Sequence, residues 1–132
     1  MQDRPTYDEL LGAVERFLDD EVVAKSEGGR RFYGRVAANT IRIVRRELER
    51  EDEALDREWA GLDGLLGASA RPAARAALRD ALAQRNAELA QRIRSGDADA
   101  APFRDAVLAH VRQTVREKLL VTNPGWLGEE PS

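Results

Sequence analysis

Between Tyr7 and Val22 the apolar residues Tyr7, Leu10, Leu11, Val14, Phe17, Leu18 and Val22 repeat at intervals of three and four. That spacing lays one stripe along one side of an α-helix, whereas a half-buried strand would alternate every second residue. The same period returns in later segments, so the chain must fold as helices that bury their stripes against one another. Residue choice agrees with the period. Ala, Leu, Arg and Glu are good helix formers, while the β-branched and aromatic clusters of strands are scarce and aromatics make up 5% of the chain. The class expected is all-α.

Residues 6–24 read as the first helix. Pro5 and Thr6 open it, and "TYDE" places Glu9 three residues after Thr6, the spacing of a capping box. "SEGG" at 26–29 stops it, because a Gly pair suits the left-handed turn after a helix. The second helix, 30–50, carries Phe32, Tyr33, Val36, Ala37, Ile41, Ile43, Val44 and Leu48 over roughly half its circumference at about 100° per residue. So wide an arc predicts more than one neighbour and makes this the central helix. A third segment, 52–66, has Leu55, Trp59, Leu62 and Leu66 in phase; it either continues helix two after a bend or stands apart.

"LGASARP" then breaks the chain. A fourth helix over 72–95 shows Leu78, Leu82, Leu89 and Ile93 among many Ala, and "SGDADAAP" at 95–102 is a loop with Pro102 placed to begin the next helix. Helix five, 102–121, carries Phe103, Val107, Leu108, Val111, Val115 and Leu119. Residues 1–124 are therefore expected to form one domain, a single-domain antiparallel bundle of four to five helices, with 125–132 as a C-terminal tail that turns and then loses order.

At 132 residues the chain has room for one core, and 42% hydrophobic with 34% charged residues fits a globular protein. The absence of cysteine excludes disulfides, thiolate metal sites and cysteine nucleophiles. "MQDRPT" has no apolar run, and no stretch approaches the length of a membrane span, so a cytoplasmic location and no membrane association are expected.

Charge is organised in blocks. Residues 1–27 carry a net −5, 28–50 +5, 51–66 −5, 67–96 +4 and 97–132 −2. Successive elements of opposite sign attract, although each exposed ion pair contributes little. Arg30, Arg31, Arg35, Arg42, Arg45, Arg46 and Arg50 crowd one helix as in a phosphate-tracking element. The acidic blocks on either side and a pI near 5.3 favour a salt-bridged face, so no nucleic-acid binding is expected.

Four features are candidates for chemistry or binding. Gly28, Gly29, Arg30 and Arg31 stand at a helix start, where free N–H groups and the dipole favour an anion, against the plainer reading of an inter-helix turn. His110 is the only histidine, which argues against a metal centre; a flank histidine bonded to a neighbour is expected, with no metal and no cofactor. Glu21, Asn39, Glu47, Thr114 and Lys118 lie on or beside the apolar stripes of helices one, two and five. Ionised groups in a core need partners, so these five are expected to cluster. They form either a structural seam pairing Lys118 with Glu47 or Glu21, or a polar pocket for a small ligand. Trp126 and Leu127 stand alone in a Gly, Glu, Pro and Ser segment and either dock on the bundle or anchor another chain.

Taken together, "QDRPTYDELLGAVERFL", "RVAANTIRIVRREL" and "TVREKLLVTNP" resemble an uncharacterised family of small all-helical bacterial proteins. Its genes lie beside those of aminoglycoside-phosphotransferase-like kinases and acyl-CoA dehydrogenases. The similarity spans Asp3 to Pro124, and the segment 67–101 adds nothing specific to it. The resemblance implies an all-helical fold and a link to acyl-CoA or phosphoryl metabolism, and it supplies no catalytic residue. The Gly-rich loop and metal-binding Asp motifs of such kinases are absent from this chain. The function expected is a non-enzymatic accessory or interaction protein with a kinase-like or acyl-CoA dehydrogenase-like partner. The alternative is a small-molecule-binding or enzymatic bundle using the polar pocket. Self-association as a homo-oligomer is left open.

Overall fold

The computed structural model describes residues 3–128, and all regular structure among them is helical. The chain is all-α, with four α-helices. The first, α1 (Tyr7–Phe17), is closed at its start by the expected capping box. The Thr6 hydroxyl accepts from the Glu9 amide at 3.2 Å, and the Glu9 carboxylate accepts from the Thr6 amide at 2.7 Å. One wider π-helical turn, Leu18–Val23, extends α1, with the Ala24 amide donating to the Asp19 carbonyl at 2.9 Å.

The central helix α2 (Gly28–Leu66) runs for 39 residues without a break. The third segment is thus a continuation of helix two and does not stand apart as a separate helix. Physically this follows from "EREDEALD", which contains neither Gly nor Pro to interrupt the backbone ladder. Gly67, with φ 95°, ends the helix in a conformation that costs other residues a Cβ clash. Two further helices, α3 (Arg75–Arg94) and α4 (Phe103–Thr122), match the fourth and fifth expected segments, and a 3₁₀ turn, Pro124–Leu127, follows. Residues 129–132, the end of the expected disordered tail, lie outside the described residues.

The chain divides into two compact units, Met1–Glu49 and Arg50–Ser132, and α2 contributes to both. In the N-terminal unit α1 runs antiparallel to the first half of α2. Arg45 reaches Asp8 at 2.8 Å and Glu15 at 2.6 Å, while Arg42 reaches Glu15 at 2.7 Å and also pairs with Asp19. The seam beneath these pairs is made of small residues. Gly12 is buried against the Arg45 guanidinium, and Gly34 lies under Val22 and Val23, where an added Cβ would come within 3.0 and 3.1 Å. Ala38 is fully buried.

The C-terminal unit holds the large apolar core: Trp59, Leu62, Leu78, Leu82, Leu89 and Val107, with Leu55, Leu65, Leu66, Ala81, Ala98 and Phe103 packed against it. Burying each such side chain contributes about 1.5–3 kcal/mol. Residues 67–74 travel back along α2, with Arg71 bonded to Asp56 and Arg75 to Glu51 and Asp52. As a result α3 runs parallel to α2: Arg75 and Arg79 face Glu51, Asn86 donates to Glu58, and Arg92 donates to the Leu65 carbonyl. The antiparallel pattern expected of short connections holds for α4, which places Glu117 beside Arg57 and His110 against Gly61. An eight-residue connection spans up to about 26–29 Å when extended, enough to return along several turns of helix.

That parallel run brings two arginines of α3 to the C-terminal end of α2. Arg85, whose side chain is 11% exposed, pairs with Asp63 and donates to the Leu62 and Gly67 carbonyls at 3.1 and 2.7 Å. Its guanidinium lies 4.6 Å from the centre of the Trp59 ring. Arg92 donates to the Leu65 carbonyl at 3.0 Å and lies 4.4 Å from the Phe103 ring centre. Cations are favoured at that end by the helix dipole and by the carbonyls left without intrahelical donors.

Candidate functional site

The apolar stripe of α1 was expected to face the core. Much of it faces solvent: Tyr7, Leu10, Val14 and Phe17 are exposed, Phe17 by 59%, while Leu11, Leu18 and Val22 are half-buried. On α2, Phe32, Tyr33, Val36, Val44 and Leu48 are exposed as well, Tyr33 by 71%. Both departures have one cause. The contact line between the helices runs through Gly12, Glu15, Gly34, Ala38, Arg42 and Arg45, so small residues and ion pairs take the place the large side chains would have filled.

Turning each helix at about 100° per residue from that line puts the two stripes on the same side of the hairpin. Leu11, Val14 and Tyr7 border it on α1; Ile41, Val44 and Tyr33 border it on α2. The opposite side carries Arg31, Arg35 and Arg46 with Arg16 and Asp20. The hairpin therefore has one apolar and one charged side.

A second exposed stripe lies in the C-terminal unit. Leu108, Val111 and Val115 follow one another at helical spacing along α4 and are exposed, flanking the line through Val107 that enters the core. Beyond the helix, Trp126 is 77% exposed in the 3₁₀ turn and Leu127 is half-buried. With most of its surface exposed, the indole is not docked on the bundle.

The five expected polar residues divide between the units. Glu21, Asn39 and Glu47 are in the N-terminal unit and exposed; Thr114 is half-buried and Lys118 exposed in the C-terminal unit. Glu21 forms a local ion pair with Lys25, one turn on, at 2.5 Å. At the start of α2, Gly28 has φ 57°, and a Cβ on Gly28 or Gly29 would meet open space. Those glycines, with the exposed Arg30 and Arg31, form an open helix start and no closed cradle. Arg42 and Arg45 are engaged by α1 carboxylates, as the charge blocks imply. The hydrogen bond from Arg45 holds Asp8 below the usual carboxylate range, and Asp8 with Glu15 raises Arg45 further.

His110 is half-buried, with its ring on Gly61. Burial holds its imidazole below the ordinary histidine value, and nearby Glu58 opposes the shift. Glu58 also accepts from Asn86 at 2.7 Å. Sequence reading missed Asn86, Arg85 and Arg92 because their roles depend on α3 running parallel to α2, which no local pattern announces. The spacing of Arg85 and Arg92, seven residues apart on one face of α3, was the available signal.

Among the described residues no three metal-ligating side chains come together, and no helix is long and apolar enough to cross a membrane. No curated protein and no solved structure matches the chain. A family model described as a domain of unknown function, DUF6285, matches residues 24–126. The match takes in all of α2, α3 and α4 and ends at Trp126, and by it the chain belongs to the DUF6285 family.

Proposed function

We propose that the chain is a non-enzymatic accessory protein of the cytoplasm that binds a protein partner through the outer stripe of α4 and Trp126. The observation that carries this reading is the exposure of Leu108, Val111, Val115 and Trp126 together in the C-terminal unit. Water gains nothing from such side chains, and a rigid exposed Trp is the residue type most enriched among interface hot spots. The partner is of the aminoglycoside-phosphotransferase-like kinase or acyl-CoA dehydrogenase class, to which the sequence resemblance points. Nucleic acid is not the partner, because α2's central arginines are already neutralised by carboxylates of the same chain.

Co-expression with a kinase of that class and with an acyl-CoA dehydrogenase from the source cell tests the proposal. One of them should co-elute with the protein, and the complex should be lost in Trp126→Ala and in Val115→Asp. Both substitutions sit at exposed positions and should leave the unfolding midpoint nearly unchanged. If neither candidate co-elutes at tens of micromolar, or if the complex survives both substitutions, the reading fails.

A further inference from the structure

In the C-terminal unit, α3 and α4 each turn one flank to α2 and leave the other in water. On α3, at about 100° per residue from the buried line Leu78, Leu82 and Leu89, Arg85 and Arg92 stand on one flank and reach the end of α2. Ala83, Asn86, Ala90 and Ile93 stand on the other. On α4, His110 and Glu117 stand on one flank of the line through Phe103, Val107 and Val121 and meet Gly61 and Arg57 of α2. Leu108, Val111 and Val115 stand on the other. In a closed three-helix bundle these second flanks would cover each other. Here they do not: Ile93, Leu108, Val111 and Val115 are between 40% and 49% exposed, and Ala83 is exposed as well. The seam between α3 and α4 is an open apolar groove, with alanines on one wall and branched side chains on the other.

We propose that this groove takes one amphipathic helix of a partner protein, whose apolar stripe is flanked by carboxylates. The groove includes the α4 surface already assigned to a partner, so the proposal rests on that reading and adds a second wall and the occupant's chemistry. A helix fits because Ala83 and Ala90 put little side chain on their wall, which lets a helix axis approach to about 8 Å, the near end of helix packing distances. From Arg104 to Lys118 the α4 wall is about 21 Å long, the length of a helix of about 14 residues. Such a helix seats apolar side chains at i, i+3, i+4 and i+7. Asn86, the polar residue of the α3 wall, already donates to Glu58 at 2.7 Å and to the Leu82 carbonyl at 3.0 Å, so covering it strands no donor.

The charge of the rim selects an acidic helix. Arg104, Arg112 and Lys118 lie on or beside the face of α4 that carries the apolar residues, and all are exposed. Among the described residues the side chains of Arg112 and Lys118 have no partner, and Arg104 pairs with its neighbour Asp105 at 3.1 Å. The carboxylates of the two helices lie elsewhere. Glu117 faces Arg57, while Asp80, Glu88 and Asp105 stand well away from the core lines of their helices. Unpaired cations beside exposed apolar groups favour carboxylates on the partner's flanks and reject a basic helix.

Fluorescence anisotropy of the full chain with two labelled synthetic peptides tests the proposal. Both peptides carry leucines in a single helical stripe long enough to span the groove; one has glutamates beside the stripe and the other lysines. The acidic peptide should bind at least about tenfold more tightly, and added salt should shrink the preference. Arg112→Glu combined with Lys118→Glu should reverse it. Ala83→Glu, on the opposite wall at an exposed helical position, should remain folded and weaken binding of the acidic peptide about tenfold. No binding by either peptide, equal affinity for both, or binding indifferent to Ala83→Glu would each overturn the proposal. Self-association of the chain that Ala83→Glu abolishes, with no preference between the peptides, would make the occupant a second copy and overturn it too. Ala83→Glu also separates the groove from the reading on which it rests. A kinase or dehydrogenase complex lost in Val115→Asp but intact in Ala83→Glu would overturn the groove and leave the α4 surface standing. The expected peptide preference with neither enzyme bound would support the groove and overturn that partner class.

Discussion

Gly61 on α2 lies directly under the His110 ring of α4. An ideal Cβ there would lie 2.3 Å from His110 Nδ1, which no side chain tolerates. Three residues on, Gly64 is in the same helix, exposed, with nothing near its missing Cβ. The pair separates two effects of adding a methyl group. Gly64→Ala should stabilise the protein by about 0.5–1 kcal/mol through helix propensity alone. Gly61→Ala gains the same term but must displace an imidazole held in the core wall, and a net loss of about 1–2 kcal/mol is expected. Chemical denaturation measures both, and combining Gly61→Ala with His110→Ala should recover much of the loss if the ring is the obstacle. The same ring carries a pH dependence. Because burial lowers its pKa in the folded state, the unfolded chain takes up the proton first as pH falls. Stability from this group is complete above the ordinary histidine range near 6.5 and is lost as pH drops through and below it. Urea midpoints at pH 7.5 and 5.5 should therefore differ less in His110→Gln than in the native protein. An equal difference would mean the histidine is not involved.

Elements show which parts of the fold were legible in sequence. The capping box at Thr6 and Glu9 was, because it is a contact three residues long. The extents of α3 and α4 were, because Gly and Pro bound them. What each helix turned toward its neighbour was not. The α1 stripe from Tyr7 to Phe17 has the period of a core face, yet the contact with α2 runs through Gly12, Gly34 and Ala38, residues that give no hydrophobic signal. Ion pairs from Arg42 and Arg45 were foreshadowed by the alternating charge blocks, but a block names no partner. For the five polar residues, angle on a helix fixes a face and not what the face meets; Glu21, Asn39 and Glu47 belong to one unit and Thr114 and Lys118 to the other. The seam itself is open to test. At Gly34 an added Cβ would lie 3.0 Å from Val22, so Gly34→Leu should push the π-helical turn off α2 at a cost of about 2–3 kcal/mol. Proteolysis should then cut between residues 7 and 27 while the fluorescence of Trp59, buried in the C-terminal unit, stays native. Loss of both signals together would show that the seam is not a local contact.

On the scale of the whole molecule, stability is distributed unevenly along one continuous helix. From Leu55 to Leu66, α2 is packed into a core with Leu78, Leu82, Leu89 and Val107, and its C-terminal carbonyls are held by Arg85 and Arg92. From Arg30 to Leu48 the same helix is covered on one side by a seam of glycines and ion pairs, with its apolar side in water. Backbone hydrogen bonds are equivalent in the two halves, so the difference in protection must come from packing. Amide exchange reads it directly. In dilute solution α1 and the first half of α2 should exchange at least about a hundredfold faster than residues 55–66, with a gradient along α2 and no step at a break in the helix. Uniform protection from one end of α2 to the other would mean that the hairpin is stabilised by something other than the contacts described.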